Sequence, residues 1–354
     1  MAQSVLLQEC RATWEGMSNF CLQGIDSEIG QGHDFNIFCN GKIFVVAIRP
    51  AGPPDYKIRS VLSKYNSACS RDDDEEEQEV QEEIEDMIYE CAWEAFAPLA
   101  PAITSPESPS DLHTHLNPDT FYYRLDMVGG KAGLVQEHPP PPMPPFHLTI
   151  SDALNIQRHS AKDILVLEKF PAIGYIAKVL INGQEACCKI GKATHGTAVQ
   201  REYESLHTIS LSKCADSIRV PKLIGLVVDD DGIIGILEEF VPSEHTLGKI
   251  LGGSAAPDGD RRKKWGQQIE QTLCQLHEIG VVWGDGKPEN ILINSVTDDA
   301  WLIDFGGSFT EGWVDMELKE TLAGDEQALK NYPGTRYLTN SLSLIQIRKF
   351  SQTN

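Results

Sequence analysis

The stretch VVWGDGKPENILI, residues Val281 to Ile293, carries Asp285, Lys287 two places on and Asn290 five places on, and an apolar run follows at once. Asp and Asn offer hard oxygen atoms to a cation, and Lys a fixed positive charge. Reading outward, RRKKWGQQIEQTLCQLHEIG puts Trp265, Ile269, Leu273 and Leu276 on one side of a long helix that leads into this loop. ILINS and AWLID follow as short strands flanking a turn, the second ending at Asp304 in LIDFGG. Upstream, DILVLEKF, YIAKVLI and EACCKI read as successive strands, and Asn182-Gly183 turns the second into the third. VQREYESLHTI reads as a helix and GIIGILEEFV as another strand. The expected class is α+β, with a strand-rich half followed by a helical half.

Phosphoryl transfer asks little covalent chemistry of a protein. A triphosphate must be held, its charge neutralised by Mg²⁺ and Lys, and an acceptor hydroxyl aligned. The region from about Asp163 to Gly307 offers a residue for each task in the required order. It resembles the eukaryotic protein kinase superfamily, and is similar in particular to the short, divergent kinase-like proteins common in filamentous fungi. The resemblance implies a bilobal protein-kinase-like fold with a β-rich N-lobe (146–241) and a shortened helical C-lobe (242–354), and ATP and Mg²⁺ as cofactors. Lys189 in ACCK then matches the Lys that grips the α and β phosphates. Glu202 in REYESL matches its helix partner, with Glu204 as a substitute because the gap from Lys189 is short. Asp285 matches the catalytic Asp, and Lys287 the Lys that steadies the γ phosphate in serine/threonine kinases. Asn290 and Asp304 match the Mg²⁺ ligands, Asp304 as the Asp of D-F-G. EEFV resembles the hinge, so Glu239 and Val241 supply backbone contacts to adenine and Glu238 falls at the gatekeeper position.

The sequence departs from that family pattern in five places. The glycine-rich loop keeps Gly174 but has Ala172 and Ala177 at the two flanking glycine positions, which predicts a looser cover over phosphate and weaker ATP affinity. Burying the Glu238 carboxylate is costly unless it is paired or protonated. Trp283 replaces the usual His, with the bulk to fill its volume and one N–H to donate. Gly284 replaces the Arg that pairs with a phosphorylated activation loop, so control by that phosphorylation is not expected. After Gly306 no A-P-E follows, which predicts a reduced peptide platform and puts a small-molecule hydroxyl beside a protein one as acceptor. A pseudokinase or nucleotide-binding scaffold is the reading outside enzymes, opposed by the presence of Lys189, Asp285, Asn290 and Asp304 together.

Residues 1–145 resemble nothing nameable. FNIFCNGKIFVVAIRP has a hairpin signal at Asn40-Gly41. The run beginning RDDDEEEQEV continues into an acidic helix over 75–96, with Val80, Ile84, Ile88, Cys91 and Ala95 on one face. Its polar face is solvated or docks a basic partner. Pro, Ser and Gly accumulate over 97–145, ending in EHPPPPMPPF, which predicts a spacer, with 139–145 as an alternative ligand for a Pro-binding module. The expected division is 1–96, a linker at 97–145, and 146–354. A net charge of −22 argues against nucleic-acid binding. No run reaches the roughly 18 apolar residues of a membrane span, and no secretory leader is read at the start. Nine cysteines without a C-x-x-C pair read as reduced thiols of an intracellular protein, cytoplasmic or nuclear. His113 and His115 in DLHTHLNP read as a surface loop rather than metal ligands.

Overall fold

The computed structural model describes residues 21–28, 32–50, 56–71, 74–101, 110–141, 145–150, 156–170, 174–191, 196–253, 257–307, 310 and 312–332. The chain divides into two units, Met1–Ser110 with Thr114–Met143, and Asp111–His113 with Pro144–Asn354.

In the first unit, β1 (Cys21–Glu28), β2 (Gly32–Cys39) and β3 (Lys42–Ile48) form an antiparallel meander. The β2–β3 turn places Asn40 and Gly41 at φ of 47° and 81°, the left-handed pair that a two-residue hairpin requires. The chain then runs through α1 (Lys57–Arg71), α2 (Asp74–Phe96) and the one-turn α3 (Leu112–Leu116). It returns as β4 (Thr120–Val128), parallel to β3, with β5 (Lys131–Gln136) antiparallel beside it. Adjacent parallel strands need a crossover of this length. Phe35, Ile37 and Phe44 from the sheet meet Val80, Ile84 and Ile88 from α2 in one core, and Phe44 stacks on Phe96 at 3.8 Å.

The expected linker at 97–145 is corrected by this sheet, because β4 and β5 lie inside that segment and complete it. Its Pro-rich composition conceals two β-rich runs, FYYRLDMV and KAGLVQ. Gly129-Gly130 joins them at positive φ, a hairpin signal in its own right. DLHTHLNP is also not simply a loop: α3 starts within it, and His113 Nδ1 lies 3.2 Å from Asp229 Oδ1.

The second unit is mixed α+β, as the sequence reading expects. β6 (Arg158–Ser160), β7 (Leu165–Lys169), β8 (Tyr175–Ile181), β9 (Gln184–Ile190), β10 (Leu223–Asp229) and β11 (Gly232–Glu239) form one sheet in the order β6-β10-β11-β9-β8-β7. Helix α4 (Gly196–Ser210) falls between β9 and β10 in the chain. A helical part follows, with α5 (Leu247–Gly252), α6 (Gly259–Glu278), the hairpin of β12 (Ile291–Ile293) and β13 (Ala300–Leu302), and α7 (Leu322–Lys330). Trp265, Ile269, Leu273 and Leu276 of α6 are buried, and they share a core with Leu226 and Ile236 of the sheet and Tyr203 and Leu206 of α4. Strand-rich and helical parts are therefore welded by one apolar core, and the polar residues singled out in the sequence lie around it.

Candidate functional site

Strand β9 is interior to its sheet, and it delivers Lys189 opposite Ile176 of β8 and Ile236 of β11. The Lys189 ammonium lies 2.5 Å from Glu202 Oε1 of α4 and 3.6 Å from Glu238 Oε1 of β11, all three side chains being buried. Burial alone would push the lysine pKa down, but the two carboxylates outweigh it and hold it well above the ordinary value. One positive charge is shared between two carboxyl groups. Burial first, then the charge of Glu202, pushes Glu238 up to about 8, so it keeps a proton at neutral pH. Burial also raises Glu202, against the pull of Lys189. Of the two partners considered for Lys189, Glu202 is the one in place; Glu204 accepts from Gln200 at 2.8 Å in an exposed setting.

Asp304 sits between this cluster and the loop at Asp285. The N–H of Phe305 donates to Glu202 Oε1 at 3.1 Å, and the N–H of Ile303 donates to the Asn290 carbonyl at 3.0 Å. Asp304 itself adopts φ of 63°, a left-handed conformation that Asp tolerates better than most residues. Its charge is felt at Lys189, Glu202 and Glu238, which marks it as part of their cluster.

The loop closes on Asp285, which is buried. Oδ2 pairs with Lys287 Nζ at 2.8 Å and accepts from Asn290 Nδ2 at 3.2 Å, while the same amide nitrogen donates to the Asp285 carbonyl at 3.0 Å. Oδ1 accepts from the Thr310 hydroxyl at 2.8 Å, and Lys287 Nζ donates to that hydroxyl at 3.2 Å. Thr310 was not among the residues expected from the sequence. It lies 25 positions from Asp285, and no local spacing signals the contact.

Asp325 was also missed, and it fixes the loop. From the first turn of α7 it accepts from the N–H of Trp283 at 2.9 Å and of Gly284 at 2.8 Å, with His277 Nε2 at 2.9 Å from the same carboxylate. Trp283 is fully buried and donates its indole N–H to the Ile303 carbonyl at 2.9 Å, so the ring links the loop to the segment between β13 and Asp304. Its ring is packed into the apolar core of the second unit.

Gly174 precedes β8 at φ of 91°; Ala172 and Ile173 lie outside the described residues. Glu239 and Val241 stand at the end of β11 and just beyond it, and the N–H of Glu239 is committed to the Lys222 carbonyl at 2.8 Å. A base contact at Glu239 would therefore have to use its carbonyl oxygen.

Among the described residues no group of three His, Cys, Asp or Glu is arranged to hold a metal ion unaided. Mg²⁺ is ordinarily held by one or two protein oxygens with phosphate and water completing the shell, so Asp304 and Asn290 fit that ion. Donation by the Asn290 nitrogen to Asp285 leaves its amide oxygen as the atom a cation would take. No protein-family model matches the chain. No described helix is long and apolar enough to cross a membrane.

Proposed function

We propose that the second unit is a kinase-like ATP- and Mg²⁺-dependent phosphotransferase that moves the γ-phosphoryl group to a hydroxyl acceptor, most closely in the manner of a serine/threonine protein kinase. The observation that carries this reading is the continuous polar chain Lys189–Glu202–Phe305 N–H, then Asp304, then Ile303 N–H–Asn290–Asp285. A phosphate-binding ammonium, two cation-binding oxygens and a base are linked along it by two backbone N–H donors, those of Phe305 and Ile303, and by buried side-chain bonds at its two ends. Such preorganisation is what lets charged groups stabilise a transferring phosphoryl group. Asp304 and Asn290 would hold the metal, which would supply charge neutralisation between phosphates. Lys189 holds the α and β phosphates, Asp285 orients the acceptor hydroxyl and takes its proton, and Lys287, 2.8 Å from Asp285, steadies the γ phosphate. Thr310 supports the hydroxyl chemistry: an alcohol already rests on Asp285 and Lys287.

Mg²⁺-ATP should raise the melting temperature of the protein, since a ligand at a hundred times its Kd adds about 2.7 kcal/mol to the native state. Asp304→Asn should abolish most of that rise. Asp285→Ala should retain it while losing phosphate transfer to any acceptor in a cell extract supplied with labelled ATP. Label in polypeptides would favour a protein acceptor, and label confined to low-mass species a small-molecule one. An unchanged rise in Asp304→Asn would put the metal elsewhere.

One observation favours a second reading, a nucleotide-binding module without turnover. Lys189 has Glu238 beside it as well as Glu202, so phosphate must compete with an additional carboxyl for one ammonium. A thermal shift with Mg²⁺-ATP and no transfer to any acceptor, the protein itself included, would select that reading.

A further inference from the structure

Two glycines in the site are matched to one guanidinium. Gly284, beside Asp285, has φ of 95°, and Gly307, in the segment after Asp304, has φ of 80°. A side-chain carbon added at Gly284 would come within 3.0 Å of Arg201 Nη2, and one added at Gly307 would overlap Arg201 Nη1. Arg201 is the residue before Glu202 on α4. Its Nη1 lies 2.7 Å from Glu320 Oε1, in the turn immediately before α7. That turn is itself held in an unusual conformation, with Glu320 at φ of 56°. One planar cation thus reaches four pieces of chain: α4, the Asp285 loop, the segment after Asp304 and the turn leading to Asp325. All four carry or adjoin a residue of the site.

We propose that Arg201 is a positioning residue whose ion pair with Glu320 fixes α4 against the Asp285 loop and keeps Glu202 on Lys189 with no covalent modification of the chain. The proposal deepens the phosphotransferase reading and rests on it only where nucleotide is concerned. A permanent carboxylate does for this site what an added phosphate could do, because both offer oxygens to a planar guanidinium. Both glycines take a positive φ that favours glycine, and at each the place a side-chain carbon would fill is taken by the end of Arg201.

The test uses the full chain and two readouts. Amide hydrogen exchange, measured without nucleotide, reads the order of α4 and of the Asp285 loop. Affinity for a fluorescent ATP analogue with Mg²⁺ reads the consequence for Lys189. Arg201→Gln and Glu320→Gln should each speed exchange across α4 while leaving exchange in the first unit unchanged, and should weaken nucleotide binding about fivefold or less, the range of a partly exposed ion pair. The double exchange R201E/E320R should recover the protection that the single changes lose. Phosphatase treatment of the unaltered protein should leave α4 exchange as it was. Unchanged α4 exchange in both single variants, or a loss of α4 protection on phosphatase treatment, would overturn the proposal. If α4 responds as expected but the unaltered protein binds no nucleotide, the phosphotransferase reading falls and the positioning role stands.

Discussion

Glu238 shares Lys189 with Glu202, and the sharing decides how it titrates. Its pKa rises from the ordinary 4.5 to about 8 in the folded chain, first through burial and then through the charge of Glu202. Between those two values the folded state binds more protons than the unfolded state, so stability falls as pH rises. Glu238→Gln, which is neutral at every pH, should flatten that fall. Thermal unfolding at pH 5 should separate the variant from the unaltered protein less than unfolding at pH 9, where the variant should be the more stable. Asp325 is a buried carboxylate with donors on both oxygens. Asp325→Ala leaves the Trp283 and Gly284 amides without their acceptor, at about 1–3 kcal/mol each. Asp325→Asn keeps one acceptor oxygen and should lose roughly half as much in a urea titration. The contrast explains which residues were legible. Lys189, Asp285, Lys287, Asn290 and Asp304 stand in short motifs whose spacing is itself the signal. Thr310, Asp325 and the Arg201–Glu320 pair act across 25 to 119 positions of chain, and nothing in their neighbours announces the partner.

Helix α2 tests the two faces of an amphipathic element. Ile84 is 1% exposed at the centre of the first core, so Ile84→Ala should destabilise the first unit by about 2–5 kcal/mol through lost burial and the cavity left behind. Glu79 faces solvent on the same helix, and Glu79→Gln should stay within about 0.5 kcal/mol in the same denaturation experiment. The stripe Val80, Ile84, Ile88 could be read directly because helical period and burial coincide over several turns. α1 carried a comparable stripe, Ile58, Val61, Leu62, Tyr65 and Ala68, all buried, that the sequence reading passed over. β10 was missed for a different reason. LIGLVVD is a continuous apolar run interrupted by Gly225, and a strand interior to its sheet shows no alternation to mark it.

Each unit of the chain has its own apolar core, and the residues of the candidate site all belong to the second. Ile84→Ala should therefore lower the unfolding midpoint of the first unit and leave unaltered the protection of 144–354 against hydrogen exchange that the proposed Mg²⁺-ATP binding would confer. A loss of that protection would show that the nucleotide response depends on both cores. At this scale the class α+β was legible, because strand and helix periods alternate along the second unit in a fixed order. The extent of the first unit was not: proline content in 97–145 outweighed the two strands hidden there, and pairing between β3 and β4 is decided by a crossover that no local signal records. One contact has a kinetic corollary. The Thr310 hydroxyl already occupies Asp285 and Lys287, so under the proposed phosphotransfer an external alcohol would arrive as the rival of a tethered one. The incumbent has the high effective concentration of an intramolecular group, and its eviction would be part of each such encounter. Removing its oxygen with Thr310→Val should ease entry, lowering the acceptor concentration needed for half-maximal rate.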